Sequence, residues 1–164
     1  MPTTYDAIAT QTLASSASSI IFSSIPSTYT DLRLTFSGAR TGTGAYWVRF
    51  NNDSSVLYSQ TVLYGDGASV SAGGQNNADL LEFSFFTTFN TIPIFTSIDL
   101  FSYSGSTNKT VLMDLAKDNN GSGYVGKYAC LYRSTSAINR IDLIAPTNNF
   151  AIGCTATLYG IKNA

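Results

Sequence analysis

The chain has 164 residues, enough for one core that removes roughly 70 percent of the unfolded surface from water without help from metals or disulfides. Charged residues make up only 12% of it, with nine basic against ten acidic side chains and a net charge of −1. No Lys/Arg cluster supplies an electrostatic footprint for nucleic acid, and no run of about 18 apolar residues is present to cross a bilayer.

Met1–Ser24 lacks a basic segment followed by an apolar one, so a soluble protein without an export signal is expected. Ser, Thr, Asn and Gly are plentiful and Glu82 is the one glutamate. Helical proteins cover their outer faces with Glu, Lys, Gln and Arg, whereas this chain uses Thr, Ser, Tyr, Phe and Ile, a β composition.

Met1–Thr4 is a short polar tail that reads as an arm. Extended segments follow at Tyr5–Leu13 and Ser18–Phe22, and then Pro26, which cannot donate to a ladder, marks the start of a strand or a crossing between sheets. Leu32, Leu34 and Phe36 alternate with Arg33 and Thr35, so this strand has one core face and one wetter face. Gly42 and Gly44 turn the chain into Tyr46–Asn51; Asn51–Asn52–Asp53 turns it into Val56–Tyr64 and Gly65–Asp66–Gly67 closes that strand, all residues that tolerate positive φ.

Gly67–Asp79, with Gly73–Gly74 inside it, reads as the longest loop. Leu80–Thr87 is next, then Pro93 and the segment Phe95–Tyr103. Val111, Met113 and Leu115 alternate with Leu112, Asp114 and Ala116, and Asn119–Asn120–Gly121 turns the chain into Tyr124–Tyr132. Ile138–Ile144 and Ala151–Ile161 complete the series.

About ten short strands are too many for one open sheet of this length. Two packed sheets fit, an all-β antiparallel β-sandwich with jelly-roll-like or related Greek-key connections, as one domain over residues 1–164. An immunoglobulin-like sandwich fits less well because Trp47 precedes both cysteines.

The chain contains no histidine, which removes the commonest general base and metal ligand and excludes a serine triad. Cys130 and Cys154 lie in strand-like stretches with no activating base nearby, as buried small hydrophobes would. With 23 residues between them and no histidine they fall short of a zinc site; a disulfide between them stays open.

Nine aspartates and Glu82 offer no singled-out acid/base pair, and most sit in turns or opposite apolar strand positions. The oxygen-rich stretches Asn51–Asp53 and Asp118–Gly121 lack the further ligands and distal Glu of an EF-hand and read as turns. Gly38–Ala45 lacks the third glycine and following helix of a dinucleotide fingerprint. The acceptor-like triplets at Asn108 and Asn120 also read as turns. No enzyme activity, cofactor or metal is expected.

The compositional excess is aromatic, with ten Tyr, ten Phe and Trp47. Most Phe belongs in the core; tyrosines such as Tyr58, Tyr64, Tyr103, Tyr124, Tyr128 and Tyr132 are amphipathic and suit packing first, contact surfaces second.

Three stretches, FSSIPSTYTDLRLTFSGAR at Phe22–Arg40, YWVRFNND at Tyr46–Asp53 and TATLYGIK at Thr155–Lys162, resemble a group of small virion proteins of tailed bacteriophages. The likeness spans most of the chain and lies in strand and turn residues. It implies a jelly-roll-like sandwich that decorates or cements the capsid, assembled in the host cytoplasm and held on the capsid surface. Its partners would be the major capsid protein and neighbouring copies of itself, a homotrimer by the general preference for closed symmetry. The alternative it implies is a tail fibre or receptor-binding module that offers loops, Trp47 and tyrosines to a host glycan or protein. No catalytic residues come with the resemblance. Under either role the contact surface is expected on the loops around Tyr64, Asp66, Gln75 and Asn77 and around Asn119, Asn120 and Tyr124, with Met1–Thr4 as an added arm.

Overall fold

The structure, a computed structural model, describes residues 4–83, 90–118 and 120–162. Period-two alternation builds it. In β3 (Asp31–Gly38), Leu32, Leu34 and Phe36 are buried while Arg33 and Thr35 keep partial access to solvent. The same rule runs through β8 (Ile94–Leu100), β9 (Lys109–Lys117) and β10 (Tyr124–Tyr132), where every second side chain enters the core.

Twelve strands form among the described residues, all joined by antiparallel pairing into two sheets. The larger sheet adds β1 (Tyr5–Thr12), β5 (Tyr58–Gly65), β6 (Val70–Ala78) and β12 (Thr155–Ile161), in the order β1-β12-β3-β8-β9-β10-β5-β6. The smaller contains β2 (Ser19–Phe22), β4 (Trp47–Phe50), β7 (Leu81–Glu82) and β11 (Ile141–Ile144), in the order β2-β11-β4-β7. The result is a jelly-roll-like antiparallel sandwich, with the inner faces sharing one aromatic and aliphatic core. Pro26 lies in the crossing from β2 to β3, between sheets, and Pro93 immediately precedes β8.

One expectation is overturned. The stretch Gly67–Asp79 is not a loop: Val70–Ala78 forms the edge strand β6, paired with β5 through Leu63 opposite Ala72 and Thr61 opposite Gly74. Glycine and asparagine have poor strand propensity, but an edge position needs only one partner, and at Gly74 a Cβ would sit 2.9 Å from the Gln60 carbonyl oxygen. Gly73–Gly74 therefore marks close backbone approach within a strand. The turn before it is as expected: Gly67 has φ +89° and the Asp66 carboxylate accepts from the Ala68 and Ser69 backbone N–H groups at 2.9 and 2.7 Å.

Inward tyrosines carry the packing. Tyr58 and Tyr132 stack with ring centroids 4.7 Å apart, and the Tyr132 hydroxyl donates to the Asp53 carboxylate at 2.7 Å. Tyr128 donates to the Phe83 carbonyl at 2.5 Å and Tyr103 to that of Pro26. Each ring fills the core while its hydroxyl ties down a connecting segment, so burial leaves these polar atoms satisfied. Gln60 joins the sheets: its amide donates to the Glu82 carbonyl at 3.0 Å and accepts from the Glu82 N–H at 2.9 Å, as a neighbouring strand would.

Cys130 and Cys154 are buried free thiols. Burial pushes Cys130 up to about 12 and raises Cys154, whose sulfur lies over Gly38 and donates to the Ala39 carbonyl at 3.1 Å. Neither thiol is a nucleophile near neutral pH.

Two outcomes follow from this packing. The ring of Tyr29 lies on Gly160, where a Cβ would overlap it; Gly160→Ala should cost about 1–3 kcal/mol, read as a lower urea midpoint, and an unchanged midpoint would mean the ring moves aside freely. A thiol reagent at about pH 8 should label neither cysteine in the folded protein and both after unfolding; labelling of the native chain would contradict the closed core.

Candidate interaction surface

The outward side chains of five adjacent strands of the larger sheet form the candidate site. Strand register places Phe95 on β8 opposite Ala116 on β9, Ala116 opposite Val125 on β10, Val125 opposite Gly65 on β5, and Gly65 opposite Val70 on β6. Leu63 stands one outward position along from Gly65. Phe95 is 51% exposed, Leu63 57%, Val125 63% and Val70 73%. They wall an open groove of about 540 Å³ whose floor includes Ala116, Gly65 and Gly126. Isolated apolar side chains on a surface are ordinary, but a contiguous row of them, uncovered among the described residues, is the kind of patch that makes contacts.

Polar atoms border the row sparingly. Asp114 and Lys127, directly opposite on β9 and β10, form an ion pair at 2.7 Å. Across the sheet, Arg33 and Asp99 on β3 and β8 make a bidentate pair at 2.5 and 2.8 Å, which raises the Arg33 pKa. The far strands carry threonine ladders, Thr10–Thr157 at 3.1 Å and Thr12–Thr155 at 3.0 Å. One face thus grades from neutral-polar at β1 to apolar at β6.

The seven residues expected at the contact surface divide into two groups. Tyr64, Asp66 and Tyr124 come together at one end of the groove: the Tyr64 and Tyr124 rings are 5.7 Å apart, Tyr64 lines the groove, and Asp66 and Tyr124 line an adjoining hollow of about 320 Å³. Asn120, with φ +53°, occupies the neighbouring turn; Asn119 lies outside the described residues, as does Met1–Thr3 of the arm. Gln75 and Asn77 are further along edge strand β6, and Asn77 is held by Arg133 at 2.9 Å.

Tyr124 is buried rather than offered to solvent, as are Tyr58, Tyr103, Tyr128 and Tyr132. Trp47 lies on the smaller sheet, opposite Ile144 and Glu82, and cannot share a stacking platform with Tyr64. Sequence reading missed the row Phe95, Val125, Leu63 and Val70. The available signal was the apolar character of both faces of β10, where Val125, Ala129 and Leu131 alternate with the tyrosines.

The carboxylates are engaged in the fold. Asp53 accepts from Tyr132 and from the Ser55 N–H, which together hold it below the usual carboxylate range. Asp31 caps the Ser102 N–H at 2.7 Å, Asp118 the Gly121 N–H at 3.0 Å, and Asp142 holds Arg140 at 2.8 Å. In the Asn51–Asp53 turn, Asn51 bonds Ala137, Asn139 and Arg140, leaving its oxygen committed. No three Asp, Glu, Cys or His residues converge among the described residues. Lys109 is closed in the core with its ammonium on the Gly105 and Thr107 carbonyls, and burial lowers its pKa.

No protein family model matches the chain, and no curated protein does. Among solved structures, the galectin LEC-6 of Caenorhabditis elegans is similar with a TM-score of 0.40 at 7% identity, over 98% of this chain and 96% of that one. A toad ovary galectin in complex with thio-digalactose gives 0.39 at 6% identity, over 85% and 98%. Likenesses of this size say nothing of what this chain binds.

Proposed function

We propose that this chain is a non-catalytic structural protein of a tailed-phage virion, a head decoration protein that holds the capsid shell and neighbouring copies through protein contacts. The observation that carries the reading is the exposed apolar row from Phe95 to Val70 on a chain with a net charge of only −1. Such a face gains free energy by leaving water and requires no charge on its partner. A protein that binds only the assembled lattice stabilises it by mass action, with no step of bond chemistry. The resemblance of Phe22–Arg40, Tyr46–Asp53 and Thr155–Lys162 to small virion proteins supports the setting.

A second reading, a tail module that contacts a host glycan or protein, is favoured by one observation. Tyr5, 48% exposed, meets Tyr159 edge-on at 6.5 Å and lies 5.8 Å from the Arg33 guanidinium, itself paired with Asp99. An aromatic face beside a fixed guanidinium and carboxylate has the parts a sugar would use.

Copy number separates the two. Quantitative mass spectrometry of purified particles should find hundreds of copies, and antibody labelling should decorate the head regularly. Particles made without the protein should lose heads faster on heating. A few to tens of copies confined to the tail tip would overturn the decoration reading in favour of the second.

A further inference from the structure

We propose that the apolar row binds a second copy of this chain, face to face across a two-fold axis. This rests on the reading of that face as an interface, and not on the virion setting. Across five adjacent strands the row runs Phe95, Ala116, Val125, Gly65, Val70, large and small in strict alternation. Strands are spaced about 4.8 Å apart, so its ridges recur roughly every 9–10 Å with a gap about one strand wide between them. A surface of matching period fills those gaps, and a copy displaced by one strand has that period. Sheets pack face to face by such interdigitation.

Charge and area agree with this occupant. Asp114 and Lys127 beside the row already neutralise each other at 2.7 Å, so two copies meet without like-charge repulsion, and each ion-pair member can reach its opposite across the axis. Phe95, Leu63, Val125 and Val70, from 51% to 73% exposed, present on the order of 450 Å² of apolar surface, the size of the largest, often functional, patch on a monomer. Doubled across the axis and extended by bordering atoms, this approaches the roughly 1,200 Å² at which stable interfaces begin. A two-fold contact is isologous and satisfied by one partner; a trimer would have to use another surface.

Sedimentation velocity on the purified chain, up to about 100 μM, tests the proposal. Wild type should sediment at twice its 17.5 kDa mass and Val125→Glu as a folded monomer with the wild-type circular dichroism spectrum and a melting midpoint that no longer rises with concentration; Phe95→Ser should do the same if Val125→Glu fails to fold. Ala116→Leu discriminates interdigitation from general stickiness. It adds apolar surface yet fills a gap, so the interlocked pair should weaken at least tenfold. A monomeric or trimeric wild type, a dimer indifferent to Val125→Glu, or tighter association of Ala116→Leu would overturn the proposal. A monomer that still decorates heads, with decoration lost in Val125→Glu, would give the face to the shell protein and leave the decoration reading standing.

Discussion

A β-strand must show alternate side chains to opposite sides of its sheet, and both the core and the outer face of this protein descend from that constraint. Along β10 the inward set is Tyr124, Gly126, Tyr128, Cys130 and Tyr132, and the outward set Val125, Lys127, Ala129 and Leu131. The inward set can be bulky because tyrosine hydroxyls reach past the apolar layer to loop carbonyls and a carboxylate: Tyr128 to Phe83, Tyr132 to Asp53. A one-residue slip of β10 against β9 or β5 would place Lys127 in the core and the tyrosines in water, which fixes the register.

The outward set is less constrained, and there the sheet departs from a simple wet face. On β1, β12 and β3 it carries threonine ladders and Arg33, which pairs with Asp99 of β8; from β8 to β6 the apolar side chains Phe95, Leu112, Val125, Leu131, Leu63 and Val70 are interspersed with Ser97, Thr110, Ser59 and Thr61 and with a second ion pair, Asp114 with Lys127. Exposed pairs of this kind add at most about 1 kcal/mol. Their larger effect is to leave the face without net charge, which suits contact with another neutral surface.

Sequence reading succeeds where one strand face is plainly apolar. β3 and β9 are legible because Leu32, Leu34 and Phe36, or Val111, Met113 and Leu115, stand against polar alternates. The two prolines are legible because a missing N–H has few places to go. β6 is not: Gly73, Gly74, Asn76 and Asn77 have turn chemistry, and only antiparallel pairing with its hairpin neighbour β5 makes them a strand. The contact surface is half legible. Tyr64, Asp66 and Tyr124 mark one end of the groove, but Phe95 and Leu63 are single apolar residues on faces otherwise held by Ser97 and Asp99 or by Ser59 and Thr61, and only strand register brings them beside Val125 and Val70.

Among the described residues the larger sheet has two open edges, β1 and β6, and either is in principle a site for strand addition. Neither is a regular ladder. β1 shifts register against β12 between Ala7 and Ala9, and β6 shifts against β5 near Tyr58 and Gln60, with Asn77 at φ +52° close by. Bulges of this kind twist an edge away from straight pairing without spending charge on it. Edges so blunted disfavour growth of the sheet into a filament, while the flat of the sheet keeps its contiguous apolar row. Association at the rim, which would not close on itself, is thereby disfavoured.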